Sequence, residues 1–318
     1  MRTSLLRRAA VAVLAVTALA TATACSSDDG PQTTDHPLVV ASTDVWASVA
    51  RAVGGEHADV TALYNSPDGD PHEFEPSAAD TAKIQDGNVL LYNGEHYDAY
   101  FETAAADAKG KKINAYSILT GDESDGHDHD EDHAGHHHST NEHVFYNLPV
   151  VAQVADKVAD ALAEVAPDHA KYYRDNAAKF TTGINGLRGR LAAIKAEHDG
   201  TKVTQTEPLA AYLLTEAGLV DVAPESFTAA VEEGQSPSAA DLAKFQDLLT
   251  AKDGQPPVSK ALIYNTQAVD ATTESILKTA RQSGVPVVQL TESLPRGVTD
   301  YLAWQSAQIQ QLEQALDK

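Results

Sequence analysis

Pro76-Ser77-Ala78-Ala79-Asp80-Thr81-Ala82-Lys83-Ile84-Gln85-Asp86 returns later in the chain as Pro237-Ser238-Ala239-Ala240-Asp241-Leu242-Ala243-Lys244-Phe245-Gln246-Asp247. A matching apolar run follows each copy, Leu90-Leu91-Tyr92-Asn93 first and Leu262-Ile263-Tyr264-Asn265 second. Serine is a preferred helix N-cap, so each stretch reads as a helix start feeding a short buried strand. Cap chemistry alone can produce likeness between two helix starts. The strand that follows in both places favours two related lobes.

Outward from the first copy, 38–43 is an apolar strand, and 44–53 has helical spacing with Gly54-Gly55 as its stop. A second strand over 58–64 runs into the loop 65–76, and 88–93 is a third. Alternation of this kind implies βα units around a mostly parallel sheet. The second lobe repeats it, with strands at 202–206, 261–266 and 285–290 and helices at 209–217, 239–250, 271–283 and 301–316. Between the lobes, 148–164 and 167–198 carry apolar residues at helical spacing, and Pro167 marks the second start. At 1.5 Å per residue the second helix is about 45 Å long, enough to brace both lobes. The expected fold is therefore α/β: two lobes, each a mostly parallel sheet flanked by helices, joined by one long rigid helix. The expected divisions are 37–147 for the N-terminal lobe, 148–199 for the linking helices and 200–318 for the C-terminal lobe.

Residues 1–24 contain Arg2, Arg7 and Arg8, no acid, and an uncharged Ala/Val/Leu stretch, the pattern of an export signal. The only cysteine, Cys25, follows it and cannot form an internal disulfide. The segment resembles bacterial lipoprotein signals, which implies lipidation of Cys25, with 25–36 as a flexible tether; ordinary cleavage after Ala22-Thr23-Ala24 is the alternative. The chain carries 46 acidic against 23 basic residues, a formal charge of −23. Such a surface disfavours nucleic acid and anionic lipid as partners and favours cations.

Four residues stand at junctions of strand and loop, where open α/β sheets place ligands: His72, His143, Glu207 and Glu292. His72 sits in Asp70-Pro71-His72-Glu73-Phe74-Glu75-Pro76, His143 precedes Val144-Phe145-Tyr146, Glu207 precedes Pro208, and Glu292 follows the strand ending at Leu290. Two imidazoles and two carboxylates suit a divalent transition metal. From 121 to 142 runs an acidic loop in which His127, His129, His133, His136, His137 and His138 alternate with aspartate and glutamate. It has almost nothing apolar to bury, so disorder is expected, and it reads as a weak, multi-site metal collector.

Together these features resemble the substrate-binding lipoproteins of bacterial zinc and manganese ABC importers, the cluster A-I solute-binding proteins. The likeness runs from Leu38 to about Leu316. The family's Asp-Pro-His-x-Tyr/Phe-Glu-Pro motif matches 70–76 and implies His72 as first ligand, and its His-Val-Trp/Phe context matches His143-Val144-Phe145. The third family position lies five residues before a tyrosine; counting back from Tyr212 gives Glu207, where zinc members typically carry histidine and manganese members glutamate. The fourth is usually aspartate before Pro-Leu or Ser-Leu, and here Glu292 precedes Ser293-Leu294. The resemblance implies capture of a bare ion between the lobes and delivery to a membrane permease, with ATP hydrolysed by a partner subunit. It further implies a monomer held on the outer face of the membrane through Cys25. Two carboxylates point toward Mn2+. The His-rich loop and the Irving–Williams order point to Zn2+, the expected cargo.

Two other classes compete. A zinc enzyme needs three ligands, water and a general base, but the chain has no His-Glu-x-x-His cluster, so no catalytic residue is expected. In a surface metal sink or adhesin the loop would act alone and the cleft would be vestigial.

Overall fold

The computed structural model describes residues 33–69, 71–121 and 141–318. Cys25, Asp70 and the histidines from His127 to His138 lie outside the described residues. The chain order opens β1 (Leu38–Thr43), α1 (Asp44–Gly54), β2 (Asp59–Tyr64), α2 (Ala78–Asp86), β3 (Val89–Tyr92), α3 (Ala99–Ala105), β4 (Lys111–Asn114) and α4 (Ala115–Thr120). Then come α5 (Leu148–Val165) and α6 (Ala170–His198). The second half runs β5 (Lys202–Gln205), α7 (Ala211–Glu216), β6 (Val220–Asp221), α8 (Glu225–Glu232), α9 (Ala239–Leu248), β7 (Leu262–Asn265), α10 (Ala271–Gln282), β8 (Val287–Leu290) and α11 (Tyr301–Leu316).

Each half forms a four-stranded parallel sheet, and the two orders are equivalent: β2-β1-β3-β4 and β6-β5-β7-β8. The repeated sequence therefore has a topological meaning, because α2 and α9 both lead into the third strand of their sheet. Their caps agree in detail. Ser77 Oγ accepts from Asp80 N at 3.3 Å, and Ser238 Oγ accepts from Asp241 N at 3.1 Å. Lys83 and Lys244 then pair with those aspartates at 2.9 and 3.1 Å. Edge strands β4 and β6 and helices α3, α4 and α8 are elements that the sequence reading does not anticipate. β6 is only two residues long and both are exposed, so it carries no apolar alternation to detect.

Helix α6, 29 residues long and preceded by a 3-10 turn at Pro167–His169, joins the two lobes. Near its start Tyr173 Oη donates to His57 O at 2.8 Å and Asn176 Nδ2 donates to Val53 O at 3.0 Å, both on the first lobe. Further along, Arg188 pairs with Glu216 at 2.6 Å, and Arg190 grips Glu313 through two bonds of 2.7 and 2.9 Å. Gly183 lets α11 lie close, since a Cβ there would stand 2.4 Å from Leu302 Cδ1.

One apolar core runs through both sheets, uniting Val39, Trp46 and Phe145 with Val203, Ile263 and Ile309. Polar clasps reinforce it: Ser48 Oγ donates to Thr299 O at 2.9 Å, and Tyr301 Oη donates to Phe145 O at 2.6 Å. Interiors packed in this way are bistable rather than compliant, so a wide hinge swing would have to break a shared core. No helix among the described residues is long and apolar enough to cross a membrane.

Candidate metal centre

The interlobe cleft gathers side chains from four separate segments. His72 lies in the 3-10 turn Pro71–Glu73 after β2, its ring edge-on to Tyr97 with centroids 4.7 Å apart. His143 immediately precedes the turn Val144–Tyr146, whose apolar side chains plug into the core and fix the imidazole in place. Glu292 follows β8, and Glu232 is the last residue of α8.

Nε2 of His72 lies 3.4 Å from Glu292 Oε2 and 4.0 Å from Glu232 Oε1. Nε2 of His143 lies 3.6 and 3.5 Å from the same two oxygens. Four ligands at zinc bond lengths of about 2.0–2.1 Å stand about 3.3–3.4 Å apart along the edges of a tetrahedron. Three of the observed spacings, 3.4, 3.5 and 3.6 Å, are close to those edges, and the fourth, 4.0 Å, exceeds them.

The surroundings orient each donor. The His143 backbone N–H donates to Asn141 Oδ1 at 2.8 Å, which marks that oxygen as an acceptor. Nδ1 of His143, 3.0 Å from the same oxygen, is therefore the protonated nitrogen of the neutral ring, and the Nε2 lone pair faces the cleft. Glu292 receives Tyr97 Oη at 3.2 Å on Oε2 and Asn265 Nδ2 at 2.7 Å on Oε1. Its backbone N–H and that of Ser293 both donate to Gln267 Oε1, at 2.7 and 2.9 Å. Gln267 Nε2 reaches across to Pro67 O at 2.8 Å, tying the loop that carries His72 to the loop that carries Glu292.

The internal symmetry reaches the site as well. Asn93 and Asn265 end the equivalent runs of the two sheets. Asn93 Nδ2 holds Glu142 O at 2.8 Å, just before His143, while Asn265 Nδ2 holds Glu292.

Electrostatics make the cleft receptive to a cation. Burial favours a neutral His143, but the facing carboxylates of Glu232 and Glu292 outweigh it and hold the imidazole above its ordinary 6.5. Burial likewise pushes Glu292 upward, yet hydrogen bonding and charge from both histidines win and depress it well below the usual carboxylate range. Glu232 stays raised by its burial, which the histidines only partly offset. Its position adds to that cost, because a carboxylate at a helix C-terminus meets the negative end of the dipole. A cation between these groups relieves the repulsion.

His72, His143 and Glu292 are thus brought together, each with a donor atom within 4.8 Å of the other two. Glu207 is buried beside Glu292. Its Oε1 accepts from Asn265 Nδ2, the same amide nitrogen that holds Glu292. Glu232, which the sequence reading omits, also faces both imidazoles. The signals for it were present: Pro224-Glu225 as a helix start, Phe227 and Val231 four apart, and Gly234 as a stop.

A family model described as the periplasmic component A of the zinc-uptake complex matches residues 39–315. The zinc-binding lipoprotein AdcA of Streptococcus pneumoniae is 25% identical over 280 residues, covering 84% of this chain and 53% of the relative. The manganese-binding lipoprotein MntA of Bacillus subtilis is 26% identical over 174 residues, covering 52% of each. The chain thus spans about half the length of these relatives. Among solved structures, a crystal structure of ZnuA superposes with a TM-score of 0.69 at 23% identity, covering 88% of this chain and 99% of that one. The periplasmic zinc binding protein TroA of Treponema pallidum gives 0.67 at 14% identity, with the same coverage. These two carry the fold, two parallel sheets joined by a long helix. With the match over residues 39–315, the chain belongs to the family of the periplasmic component A of zinc-uptake complexes.

Proposed function

We propose that this chain is the extracytoplasmic solute-binding component of an ABC importer, capturing Zn2+ between its lobes and delivering it to a membrane permease. The observation that carries the reading is that Nε2 of His72 and of His143 each lie 3.4 to 4.0 Å from carboxylate oxygens of both Glu232 and Glu292, with His72, His143 and Glu292 forming one compact donor triad. The cargo is held by these four residues, with Asn141, Tyr97, Asn265 and Glu207 keeping the donors oriented. Binding is the whole task of the site in this reading, and ATP hydrolysis belongs to a partner subunit. Cys25 provides the lipid anchor on the outer face of the membrane, and the monomer is the working unit.

Two imidazoles favour zinc over manganese, which binds nitrogen weakly, and the Irving–Williams order acts in the same direction. The two carboxylates keep manganese as the second reading. The test is a competitive titration of the metal-free full chain against a chelator strong enough to leave His-rich-segment sites empty, with zinc and manganese in turn. One tight zinc ion per chain, lost in His143→Ala, is expected. Manganese preference would change the cargo, and a tight site that survives His143→Ala would move binding out of the cleft.

A further inference from the structure

We infer that Glu142, with His72 and Glu232, forms an outer landing site through which the metal ion passes on its way to the inner site. This rests on the metal-capture reading above. Glu142, His72 and Glu232 each place a donor atom within 4.8 Å of the other two, as His72, His143 and Glu292 do. The two triads share His72, and Glu232 faces both imidazoles.

Three observations give the outer triad its role. First, Glu142 is held in position: its carbonyl accepts from Asn93 Nδ2 at 2.8 Å and from Val144 N at 2.7 Å, and Asn93 is fully buried. Second, Glu142 Oε2 is shielded from solvent yet has no hydrogen-bond partner among the described residues, an arrangement that costs free energy unless a cation or donor visits. Third, exposure falls along the path. The side chains of His72 and Glu232 are 22% and 15% exposed, those of His143 and Glu292 0% and 1%.

The chemistry changes along the same line. The outer triad offers one imidazole and two carboxylates, while the inner set adds a second imidazole, which a borderline-soft ion prefers. An ion entering the outer triad keeps His72 and Glu232 while Glu142 is exchanged for His143 and Glu292. It is never stripped of all its protein ligands at once. Glu142 immediately precedes His143 in the chain, so the outgoing and incoming ligands sit on one rigid piece of backbone.

Stopped-flow absorbance on the metal-free full chain tests this with Co2+ as the probe, because a four-coordinate N2O2 site colours strongly and a hydrated, carboxylate-rich one weakly. The signal is read as the difference from His143→Ala, which keeps the His-rich segment but lacks the inner site. In Glu142→Gln the rates of colour gain and of loss to EDTA should both fall about ten-fold, a change of the size supporting ligands cause. The equilibrium affinity should stay within about two-fold, since a way-station alters both directions alike, and Glu142→Ala should behave the same way. Unchanged rates would overturn the proposal. So would a weakened affinity carried by a faster off-rate, which would make Glu142 an ordinary ligand. An effect that vanishes in about 0.5 M salt would reduce it to steering by charge and overturn it equally. If the wild type shows no colour beyond His143→Ala, the capture site itself is refuted, and the landing site with it.

Discussion

Replacing Glu232 and Glu207 separately with glutamine separates a ligand from a group that supports one. Glu232 Oε1 faces His143 Nε2 at 3.5 Å and His72 Nε2 at 4.0 Å, whereas Glu207 meets the site through Asn265. Zinc sites of four protein ligands are worth roughly 10–16 kcal/mol at neutral pH, so one ligand accounts for about 3 kcal/mol. Glu232 is 15% exposed, which lets water occupy its place and recover part of that loss. A net cost of about 2–3 kcal/mol for Glu232→Gln corresponds to a weakening of about 30- to 150-fold. Glutamine at 207 still presents a carbonyl oxygen to Asn265, so Glu207→Gln should cost no more than about ten-fold, as for groups that orient ligands. Competition titration against a zinc chelator, with isothermal calorimetry as a cross-check, reads both numbers on one scale. Should Glu207→Gln prove the more damaging of the two, Glu207 enters the coordination set, and the geometry argued from α8 is wrong.

Removing the Asn141 side chain frees His143 Nδ1 from its partner at 3.0 Å, so Asn141→Ala should weaken zinc by about ten-fold while leaving the number of tight sites at one. Zinc at about a thousand times its Kd should stabilise the fold by roughly 4 kcal/mol, visible as a rise in Tm that His143→Ala abolishes; an equal rise in both proteins would place the tight ion elsewhere. Acid should weaken zinc as protons compete for His143, whose midpoint lies above 6.5, by up to about ten-fold per pH unit for each proton displaced. In the metal-free protein, the raised His143 contributes stability in full below 6.5 and loses it as pH rises through its folded midpoint. The depressed Glu292 contributes above 4.5 and loses that contribution as pH falls through its own folded midpoint. Metal-free Tm should therefore peak between those limits as far as this pair decides it, and a Tm still climbing from pH 6.5 to 8 would contradict the assignment. Finally, Ser77→Ala and Ser238→Ala should each cost about 1 kcal/mol in urea unfolding, and the two losses should add because the caps lie on different lobes.

Much of the architecture is local in origin and could be read along the chain. Apolar runs such as Val39-Val40-Ala41 are buried on both faces, so they stand out as strands, and Thr43, Ser77 and Ser238 announce the helices that follow. The repeat of one helix start and one strand was enough to signal two related halves. Helix α6 was legible because Tyr173, Ala177, Phe180, Ile184, Leu187 and Leu191 keep a helical period against both lobes. The short edge strand β6 was not, because two exposed residues make no period.

The sequence by itself determined the alternation of strand and helix, the pairing of the lobes, and the candidacy of His72, His143 and Glu292, each marked by a turn or strand end beside it. It could not single out, among 46 acidic residues, the one that faces both imidazoles beside Glu292. That choice depends on where the C-terminus of α8 falls relative to two histidines from the other lobe, a distance set by the shared core and by α6 rather than by any local pattern. Only the tertiary structure therefore put Glu232 at the imidazoles, linked Glu207 to Glu292 through Asn265, and brought Glu142 within ligand distance of His72 and Glu232.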